Sequence, residues 1–309
     1  MRIAHLSDLH ALDWAGVPLW RFVNKRFFGC LNLLRKRRAA HPRALFESVL
    51  ADVASQPLDH LVVTGDLTNL SLPSEFALLR QALDRLPLGP QNITLIPGNH
   101  DVYVWGAYFA RSFERALWPY VRGDRAWAQN PAQNPAQNPG DGGPIWPTVR
   151  VRGDVVFMGC STALPSPVPL ADGWLGKGQL SRLEQALTEH AGRFRIVLLH
   201  HPPLPQSLDV LRALRDRTAF VRLIRRVGCE LILHGHEHKD LRQTLPGPNG
   251  PIPVLGVGSS TYAHPSFERR ARYNIYSVGG SVGGSVGGPV LQTTVRVYDP
   301  TGWREHETF

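Results

Sequence analysis

Leu95-Ile-Pro-Gly-Asn-His-Asp101 is the segment from which the architecture of this 309-residue chain can be predicted. An apolar run, Ile93 to Ile96, ends at Pro97-Gly98, and an amide, an imidazole and a carboxylate follow at once. This pattern is typical of a buried strand with polar side chains at its C-terminal end. Open α/β sheets bind their ligands along that edge. We therefore expect these three polar side chains to belong to a site beside a sheet.

Four other apolar runs end in the same way. They begin at Ile3, Leu61, Ile196 and Leu231, and they lead to Asp8 with His10, to Asp66, to His200 with His201, and to His236 with His238. A single histidine or aspartate at a strand end is usually a cap, a turn residue or a buried hydrogen-bonded group. Five strand ends that carry candidate metal ligands are better explained by one shared site.

The composition is that of a globular chain. With 43% hydrophobic and 19% charged residues, it can bury a large core and is not expected to be disordered. No apolar run is long enough to span a bilayer, and the first predicted strand follows Met1 directly, so we expect no cleavable signal peptide. Three scattered cysteines indicate neither a disulfide framework nor a thiolate zinc site. These features predict a cytoplasmic protein.

The net charge of +9 is concentrated in one segment. Between Trp20 and Arg38 lie seven cations and no acid, so the rest of the chain carries a net charge of only +2. Apolar residues recur there at helical spacing, which predicts a basic amphipathic insertion over residues 18–40.

This insertion has two interpretations of equal weight. Residues 20–38 could contact an anionic membrane surface, which would place the protein peripherally on the inner membrane face, or could capture an amphiphilic anionic substrate. Alternatively, the insertion is a helix packed on its own domain with a solvated basic face. Nucleic acid is the least favoured partner, because no aromatic-interleaved strand or zinc finger accompanies the cations.

The order of the predicted elements favours an α/β fold. Amphipathic helices over 45–53 and 73–86 separate the first three strands, which predicts βαβ units and a largely parallel sheet in this part of the chain. A hairpin over 148–160 and two further helices precede the strands at Ile196 and Leu231, and short β runs follow Leu241. We infer two sheets packed between helices.

Two low-complexity tracts are predicted to be flexible surface loops. Ala-Gln-Asn-Pro occurs three times within residues 122–147, and Ser-Val-Gly-Gly occurs three times within residues 277–289. Both tracts offer little apolar surface to bury, and proline cannot donate a backbone hydrogen bond. Neither tract carries residues that suggest chemistry.

The polar residues at the strand ends form a mixed nitrogen and oxygen ligand set. Asp8 and His10, two positions apart, are expected to project from the same side of a strand end. Asp66 has two carboxylate oxygens and could bridge two metals, whereas Asn99 offers a neutral amide oxygen. Such a set favours Mn, Fe, Zn or Co over calcium.

Five short motifs occur in an order that resembles the calcineurin-like metallophosphoesterase superfamily. They are Asp8-x-His10, Gly65-Asp66-x-x-Asn69, Gly98-Asn-His-Asp101, His200-His-Pro-Pro203 and Gly235-His-x-His238. Each motif alone is weak, but the ordered set is specific. The resemblance implies a single domain over 1–309 with an α/β fold, a four-layer αββα sandwich of two mixed β-sheets flanked by helices.

The resemblance also implies roles for individual residues, with two divalent metal ions (Mn, Fe, Zn or Co) as cofactors. It assigns Asp8, His10 and His238 to the first metal, Asp66 to a bridge, and Asn99, His200 and His236 to the second metal. His100 would contact the phosphate and protonate the leaving oxygen, with Asp101 orienting it. His201 competes with His200 as a ligand, and we favour His200 because it comes first after the strand. His201 and Asn69 would then support the site or touch substrate.

The implied reaction is hydrolysis of a phosphate ester by a metal-bridging hydroxide. Monoesters, diesters and pyrophosphates all stay open as substrates. The segment Asp172–Leu180 resembles the cyclic-nucleotide and glycerophosphodiester phosphodiesterase branch, which favours diesters. The basic insertion resembles lipid-directed members, including pyrophosphatases that cleave UDP-diacylglucosamine. A non-catalytic phosphate-binding relative and a non-catalytic peripheral membrane-binding module are further alternatives.

Overall fold

Two six-stranded β-sheets form the centre of the protein, with helices on both outer sides. The computed structural model describes residues 1–27, 29, 40–127, 144–167, 169–204, 210–279 and 290–309. The strands are β1 (Arg2–Leu6), β2 (His60–Thr64), β3 (Ile93–Ile96), β4 (Thr148–Arg152), β5 (Val155–Gly159), β6 (Phe194–Leu198), β7 (Leu231–His234), β8 (Leu241–Gly247), β9 (Gly250–Gly256), β10 (Arg272–Gly279), β11 (Val290–Asp299) and β12 (Gly302–Thr308).

The helices alternate with strands in the first two thirds of the chain. They are α1 (Arg43–Ser55), α2 (Pro73–Asp84), α3 (Trp105–Phe109), α4 (Ser112–Ala116), α5 (Trp118–Val121), α6 (Lys177–Glu189) and α7 (Arg217–Val227). Short 3-10 helices lie at Leu19–Phe22, Pro90–Asn92, Val210–Arg212 and Phe267–Arg269. The four long helices predicted from apolar spacing are α1, α2, α6 and α7.

Both sheets are mixed. The first has the order β12-β11-β10-β1-β2-β3, with β1, β2 and β3 parallel as predicted and the remaining pairs antiparallel. The second has the order β4-β5-β6-β7-β9-β8, in which β5, β6, β7 and β9 are parallel and the two edge strands are antiparallel. The C-terminal ends of β1 to β3 and of β6 and β7 are therefore available for one site.

Three apolar layers hold the elements together. Ile3, Val62 and Ile96 of the first sheet pack against Phe157 and Ile196 of the second, which places one core between the sheets. A second core joins the first sheet to the buried faces of α1 and α2, and a third joins the second sheet to α6 and α7. The result is the expected arrangement of helices, two sheets and helices.

Helix α1 shows how the sequence specifies one of these faces. Leu45, Phe46, Val49, Leu50 and Val53 recur at intervals of three or four residues, so they form one apolar stripe. All five side chains are buried, four of them (Phe46, Val49, Leu50 and Val53) in the first-sheet core, and the intervening Glu47 and Ala51 are exposed. Pro42 precedes the first turn and Gln56 ends the helix.

The loop predicted over 277–289 starts later than expected. Strand β10 continues to Gly279, because Ser277 pairs with Arg2 and the amide of Val278 donates to the Met1 carbonyl at 2.8 Å. Pairing with the chain's first residues thus extends the strand into the first copy of the repeat. Residues 280–289 lie outside the described part.

The loop predicted over 122–147 is also too broad at both ends. Trp127 is buried in the second-sheet core, and its indole Nε1 donates to the Pro147 carbonyl at 2.6 Å. Asp124 accepts from the backbone amide of Val151 at 2.8 Å. Asp124, Trp127 and Pro147 are therefore held by the fold at the two ends of the predicted loop, and the repeats over 128–143 lie outside the described residues.

The basic insertion is described only in part. Residues 28 and 30–39, which include Arg35, Lys36, Arg37 and Arg38, lie outside the described residues, so the predicted helix over this part stays a prediction. In its described portion, Arg26 is buried and donates to the carbonyls of Leu70 and Ser71. Among the helices that the structure describes, none has the length and apolar character needed to cross a membrane.

Candidate metal centre

Backbone hydrogen bonds join the loops that follow the strands of both sheets. The amide of Asp8 donates to the Gly65 carbonyl at 3.0 Å, and the amide of His10 donates to the Asp66 carbonyl at 2.9 Å. From the second sheet, the amide of His236 donates to Asp8 Oδ2 at 3.1 Å. These contacts bring the ends of β1, β2 and β7 to one place.

Five of the predicted ligands have left-handed backbone conformations. Their φ angles are 54° for Asp8, 45° for His10, 54° for Asp66, 73° for His236 and 52° for His238. Such conformations cost roughly 1–3 kcal/mol each and are concentrated at functional sites. Asp8 and His10 do lie close together as expected, but the expected reason, side-chain alternation along an extended strand, is wrong. They converge because the chain curls after β1, which ends at Leu6.

The first group of side chains contains Asp8, His10 and His238. Oδ1 of Asp8 lies 3.1 Å from Nε2 of His238, and the Nε2 atoms of His10 and His238 are 3.4 Å apart. Nε2 of His10 lies 4.0 Å from Oδ1 of Asp8. One carboxylate oxygen and two imidazole nitrogens thus face a common point, as three ligands of one ion must.

The second group contains Asp66, His200 and His236. Nε2 of His200 lies 3.5 Å from Oδ1 of Asp66 and 3.2 Å from Nδ1 of His236. The other ring nitrogen of His200 lies 2.7 Å from the Thr64 carbonyl. A carbonyl can only accept, so Nδ1 carries a hydrogen and Nε2 is the nitrogen that is available to a metal ion.

Asp66 lies between the two groups. A carboxylate oxygen of Asp66 lies within 4.8 Å of ligand atoms of Asp8 and His200, and a carboxylate oxygen of Asp66 also lies within that distance of ligand atoms of His10 and His100. Two glycines permit this crowding: a Cβ on Gly98 would lie 2.3 Å from Asp66 Oδ1, and a Cβ on Gly65 would lie 2.5 Å from His200 Nδ1. Asp66 therefore lies close to candidate ligands of both groups.

One candidate ligand atom fits a metal ion better than it fits a hydrogen bond. Oδ1 of Asn99 is buried and has no hydrogen-bond partner among the described residues. A buried polar atom without a partner costs free energy unless something else binds it. Asn99 also lines one cavity with Asp66, His236 and His238, which is the position expected of a further ligand to the second group.

The pKa values of the carboxylates and imidazoles in the two groups depend on one another. Burial alone would raise the pKa of Asp66, but the neighbouring imidazoles of His200 and His100 hold that pKa well below its usual range. Burial likewise opposes the charge on His200, yet the carboxylates of Asp66 and Asp8 raise its pKa to about 9. Asp66 is therefore ionised, as a carboxylate ligand of a metal ion must be.

His100 stands beside these groups with its ring orientation fixed. Its backbone amide donates to Asp66 Oδ1 at 2.8 Å, and its Nδ1 lies 2.7 Å from the Asn69 carbonyl. Its ring stacks on Tyr103 with the ring centres 5.4 Å apart. Because the carbonyl can only accept, Nδ1 carries a hydrogen, and Nε2 is the nitrogen that can gain or lose a proton.

The structure corrects the role expected for Asp101. Its carboxylate accepts hydrogen bonds from the amides of Leu67, Thr68 and Gly98 and from the Thr68 hydroxyl, at 2.8–3.1 Å. The contact seen at His100 Nδ1 is the Asn69 carbonyl. Asp101 therefore fixes the two loops that carry Asp66 and His100, and it does not orient the imidazole directly. Its geometry is set by three backbone donors, a feature that a motif cannot reveal.

Asn69 and His201 both support the site. The side-chain amide of Asn69 donates to the His10 carbonyl, and the backbone carbonyl of Asn69 accepts from Nδ1 of His100. His201 has Nδ1 at 2.7 Å from the Thr162 hydroxyl and Nε2 at 3.1 Å from the Ala171 carbonyl. Both of its ring nitrogens are used in these contacts, which favours His200 as the ligand.

His41 is a neighbour of the first group that the sequence patterns did not single out. Its ring centre lies 4.6 Å from that of His10, and a ligand nitrogen of His41 is within 4.8 Å of those of His10 and His238. Nδ1 of His41 lies 2.8 Å from the Thr261 hydroxyl. His41 precedes α1 and follows no apolar run. The only sequence signal was a histidine before a helix-starting proline, and that signal is unspecific.

The groups open into a polar cavity of about 410 Å³. The polar residues that line this cavity are Asp66, Asn99, His100, Arg212, His236, Glu237, His238, Tyr262 and Arg269. Arg212 is held in place by a 2.9 Å hydrogen bond from Nη2 to the His236 carbonyl. Two guanidinium groups beside the candidate metal ligands suit an anion such as a phosphate group.

Comparison with known sequences agrees with this site. A family model described as calcineurin-like phosphoesterase matches residues 1–240, which include all five motifs. The chain is 28% identical over 243 residues to the glycerophosphodiester phosphodiesterase GpdQ of Enterobacter lignolyticus, covering 77% of this chain and 71% of that protein. It is 30% identical over 210 residues to a "Probable cyclic nucleotide phosphodiesterase" of Rhodococcus erythropolis, covering 66% of this chain and 58% of that protein.

Comparison with solved structures agrees with the fold. A dimetal phosphatase from Danio rerio superposes with a TM-score of 0.57 at 13% identity, covering all of this chain and 97% of that one. The purple acid phosphatase PPD1 from yellow lupin superposes with a TM-score of 0.52 at 14% identity, covering all of this chain and 53% of that one. The predicted pair of mixed sheets with flanking helices is therefore confirmed.

Proposed function

The chain belongs to the calcineurin-like phosphoesterase family and is a metal-dependent phosphoric ester hydrolase, and we propose that it hydrolyses phosphodiesters with two divalent ions bound. The observation that carries the proposal is the position of Asp66 between two groups of ligand atoms. Asp8, His10 and His238 would hold one ion, and Asn99, His200 and His236 the other, with Asp66 shared. Mn, Fe, Zn and Co all suit this ligand set.

Side chains of the protein would donate a proton and bind the phosphate, in addition to the chemistry that the ions supply. When bound, a pair of divalent ions lowers the pKa of the attacking water and neutralises the phosphate oxygens. His100, with Nδ1 held by the Asn69 carbonyl, would deliver a proton from Nε2 to the leaving oxygen. Arg212 and Arg269 line the cavity and would bind the phosphate or its substituents.

The relatives favour diesters over monoesters. One of them is named a glycerophosphodiester phosphodiesterase and another a cyclic nucleotide phosphodiesterase, so both names describe a phosphorus atom with two ester bonds. Three features support catalysis here: the complete ligand set, the fixed ring of His100 and the two guanidinium groups. The interpretations as a non-catalytic phosphate-binding relative or membrane-binding module are accordingly not retained.

A reconstitution experiment tests this proposal. The purified protein is stripped with a chelator, loaded separately with Mn, Fe, Zn or Co, and assayed with bis(p-nitrophenyl) phosphate and with p-nitrophenyl phosphate. We expect metal-dependent release of p-nitrophenolate, with the diester cleaved faster than the monoester. Absence of turnover with every metal between pH 6 and 9 would overturn the proposal, and a faster monoester would overturn the preference for diesters.

A further inference from the structure

A large apolar groove lies beside the metal centre and is not used by the proposed chemistry. It runs between the described start of the basic insertion, helix α2 and the pair α3 and α4, and it has a volume of about 1500 Å³. Pockets for small ligands usually measure roughly 300–1,000 Å³. We call it the Trp105 groove. It is thus larger than a phosphate with two small substituents requires.

The wall of the Trp105 groove is mainly apolar. Trp20, Phe76, Val104 and Trp105 line it together with small side chains of α2, α3 and α4. Trp20 is 68% exposed and Trp105 is 55% exposed, so two large indoles of the lining face solvent. Large exposed apolar surfaces of this kind usually mark a binding site. Hydrocarbon would gain most from such a wall, because it is transferred out of water.

The polar groups of the groove complement an anion. Arg21, Lys25 and Arg115 line it, and no acidic residue is among the described residues of the wall. Nζ of Lys25 donates to the Ser166 carbonyl at 2.5 Å and lies 4.3 Å from the centre of the Tyr103 ring. Burial lowers the pKa of Lys25, and the charge of Asp66 acts against that effect, so the lysine is within electrostatic reach of the metal centre.

Tyr103 lies between the Trp105 groove and the candidate proton donor His100. It lines the groove and stacks on His100, whose ring borders the polar cavity of the metal centre. Residues 165–167 line the groove and residues 169 and 171 line the polar cavity, so one segment borders both spaces. A molecule with its phosphate in the cavity could therefore extend past Tyr103 into the groove.

We infer that the Trp105 groove holds the hydrocarbon tail of an amphiphilic phosphodiester substrate. The inference rests on the proposed phosphodiesterase function and names the class of its substrate. Apolar walls would bind the tail, the cations would attract the anionic phosphodiester, and Tyr103 lies where the two parts of the molecule would meet. Each fully buried methylene raises affinity by about fourfold, so a long tail would dominate substrate preference.

A substrate series that differs only in tail length tests the inference. The substrates are p-nitrophenyl phosphodiesters with a methyl, butyl, octyl or dodecyl group, used below their critical micelle concentrations with the metal-loaded enzyme. Water adds to phosphorus, the bond to the p-nitrophenyl oxygen breaks, and p-nitrophenolate and an alkyl phosphate are released. We expect kcat/KM to rise at least about tenfold from methyl to octyl, mainly through a lower KM.

Two variants place a charge on the wall without touching the metal centre. Ala77→Glu and Ala110→Glu change exposed residues that line the groove, and Ala51→Glu changes an exposed helical residue that is not among those lining it. The first two variants should reduce the preference for octyl over methyl to about threefold or less while keeping the methyl rate. Ala51→Glu should keep the full preference. A rate independent of tail length, or a preference that survives both glutamates, overturns the inference.

A binding measurement separates this inference from the proposed function. Dodecyl phosphate is titrated into the metal-free protein and the tryptophan emission is followed, with a Trp20→Phe/Trp105→Phe variant as control. A saturable blue shift that the control loses supports the groove even if no ester is cleaved. No shift in the wild type overturns the inference even if the methyl ester is cleaved. Failure to cleave any ester counts against the phosphodiesterase proposal alone.

Discussion

The carboxylate of Asp8 holds the first metal group together through His238. Its Oδ1 lies 3.1 Å from Nε2 of His238, and its Oδ2 accepts the amide of His236, 228 positions away in sequence, at 3.1 Å. One side chain from the first strand loop thus contacts both histidines of the last motif. The first group therefore depends on the two sheets being packed correctly, and its assembly reports on the fold as well as on metal binding.

Asp101 is predicted to stabilise the site loops. Asp101→Asn replaces a carboxylate that accepts from three backbone amides by a group with only one acceptor oxygen. We expect the free energy of unfolding of the metal-free protein to fall by about 1–3 kcal/mol, together with a loss of activity. Chemical denaturation measures this free energy, with Asp154→Asn as the control, because Asp154 is exposed and makes no side-chain hydrogen bond among the described residues. An unchanged unfolding free energy with lost activity would indicate that Asp101 acts on His100 after all.

His100 is predicted to act in proton transfer and not in metal binding. His100→Gln should keep the metal content of the wild type and lower kcat by about 10²–10⁴, because the proton donor to the leaving oxygen is lost. The loss should be smaller for p-nitrophenyl esters than for alkyl esters, since p-nitrophenolate leaves without help. His190→Gln, remote from the site, serves as the control. Release of a metal from the His100 variant would contradict the assigned role.

His41 is predicted to strengthen the first metal group. His41→Gln removes an imidazole that lies against His10 and within reach of His238. Partners of this kind typically contribute about 10–100-fold to metal affinity. Competition with a chelator of known affinity should show this loss for one of the two ions only. The exposed His306→Gln is the matched control, and equal retention of both ions by the His41 variant would refute the prediction.

Glu75 is predicted to make stability depend on pH. Burial raises its pKa to about 8 from an ordinary value near 4.5, despite hydrogen bonds from the amides of Leu70 and Leu72. Between these pH values the folded protein keeps a proton that the unfolded chain has released, so the free energy of unfolding falls as pH rises. Glu75→Gln cannot ionise, and its unfolding free energy relative to wild type should therefore increase from pH 5 to pH 8.

Denaturant unfolding of the metal-free proteins at pH 5, 6.5 and 8 checks the prediction for Glu75. The exposed Glu47→Gln is the control, since that carboxylate only pairs with Arg43 on the surface of α1. A difference between wild type and Glu75→Gln that stays constant over this pH range would show that Glu75 is already ionised in the folded protein.

Much of the fold could be predicted because apolar runs that end in turn residues mark the strands and apolar stripes at helical spacing mark the helices. Apolar runs such as Ile93 to Ile96, followed by turn residues, marked the parallel strands, and the stripe of α1 marked its buried face. The end of β10 was not predictable. It depends on pairing with Arg2 and Met1 at the other end of the chain, and such long-range pairing leaves no local pattern.

The candidate site was predictable in its residues but not in its geometry. The ordered motifs predicted Asp8, Asp66 and His238 as ligands, but the curled backbone that makes Asp8 and His10 converge has no signal in residue spacing. His41 and the Trp105 groove were missed for a related reason. Their surroundings come from segments that are distant in sequence, and only the packed fold brings them together.

Metal content tests the central claim, that side chains from five strand ends hold two ions around Asp66. Mass spectrometric metal analysis of the Mn-loaded, desalted protein should give about two ions per wild-type chain. Asp66→Ala should lose both ions, because the shared carboxylate faces both groups, whereas the exposed Asp59→Ala should keep them. Two ions retained by Asp66→Ala, or fewer than one by the wild type, would contradict the account.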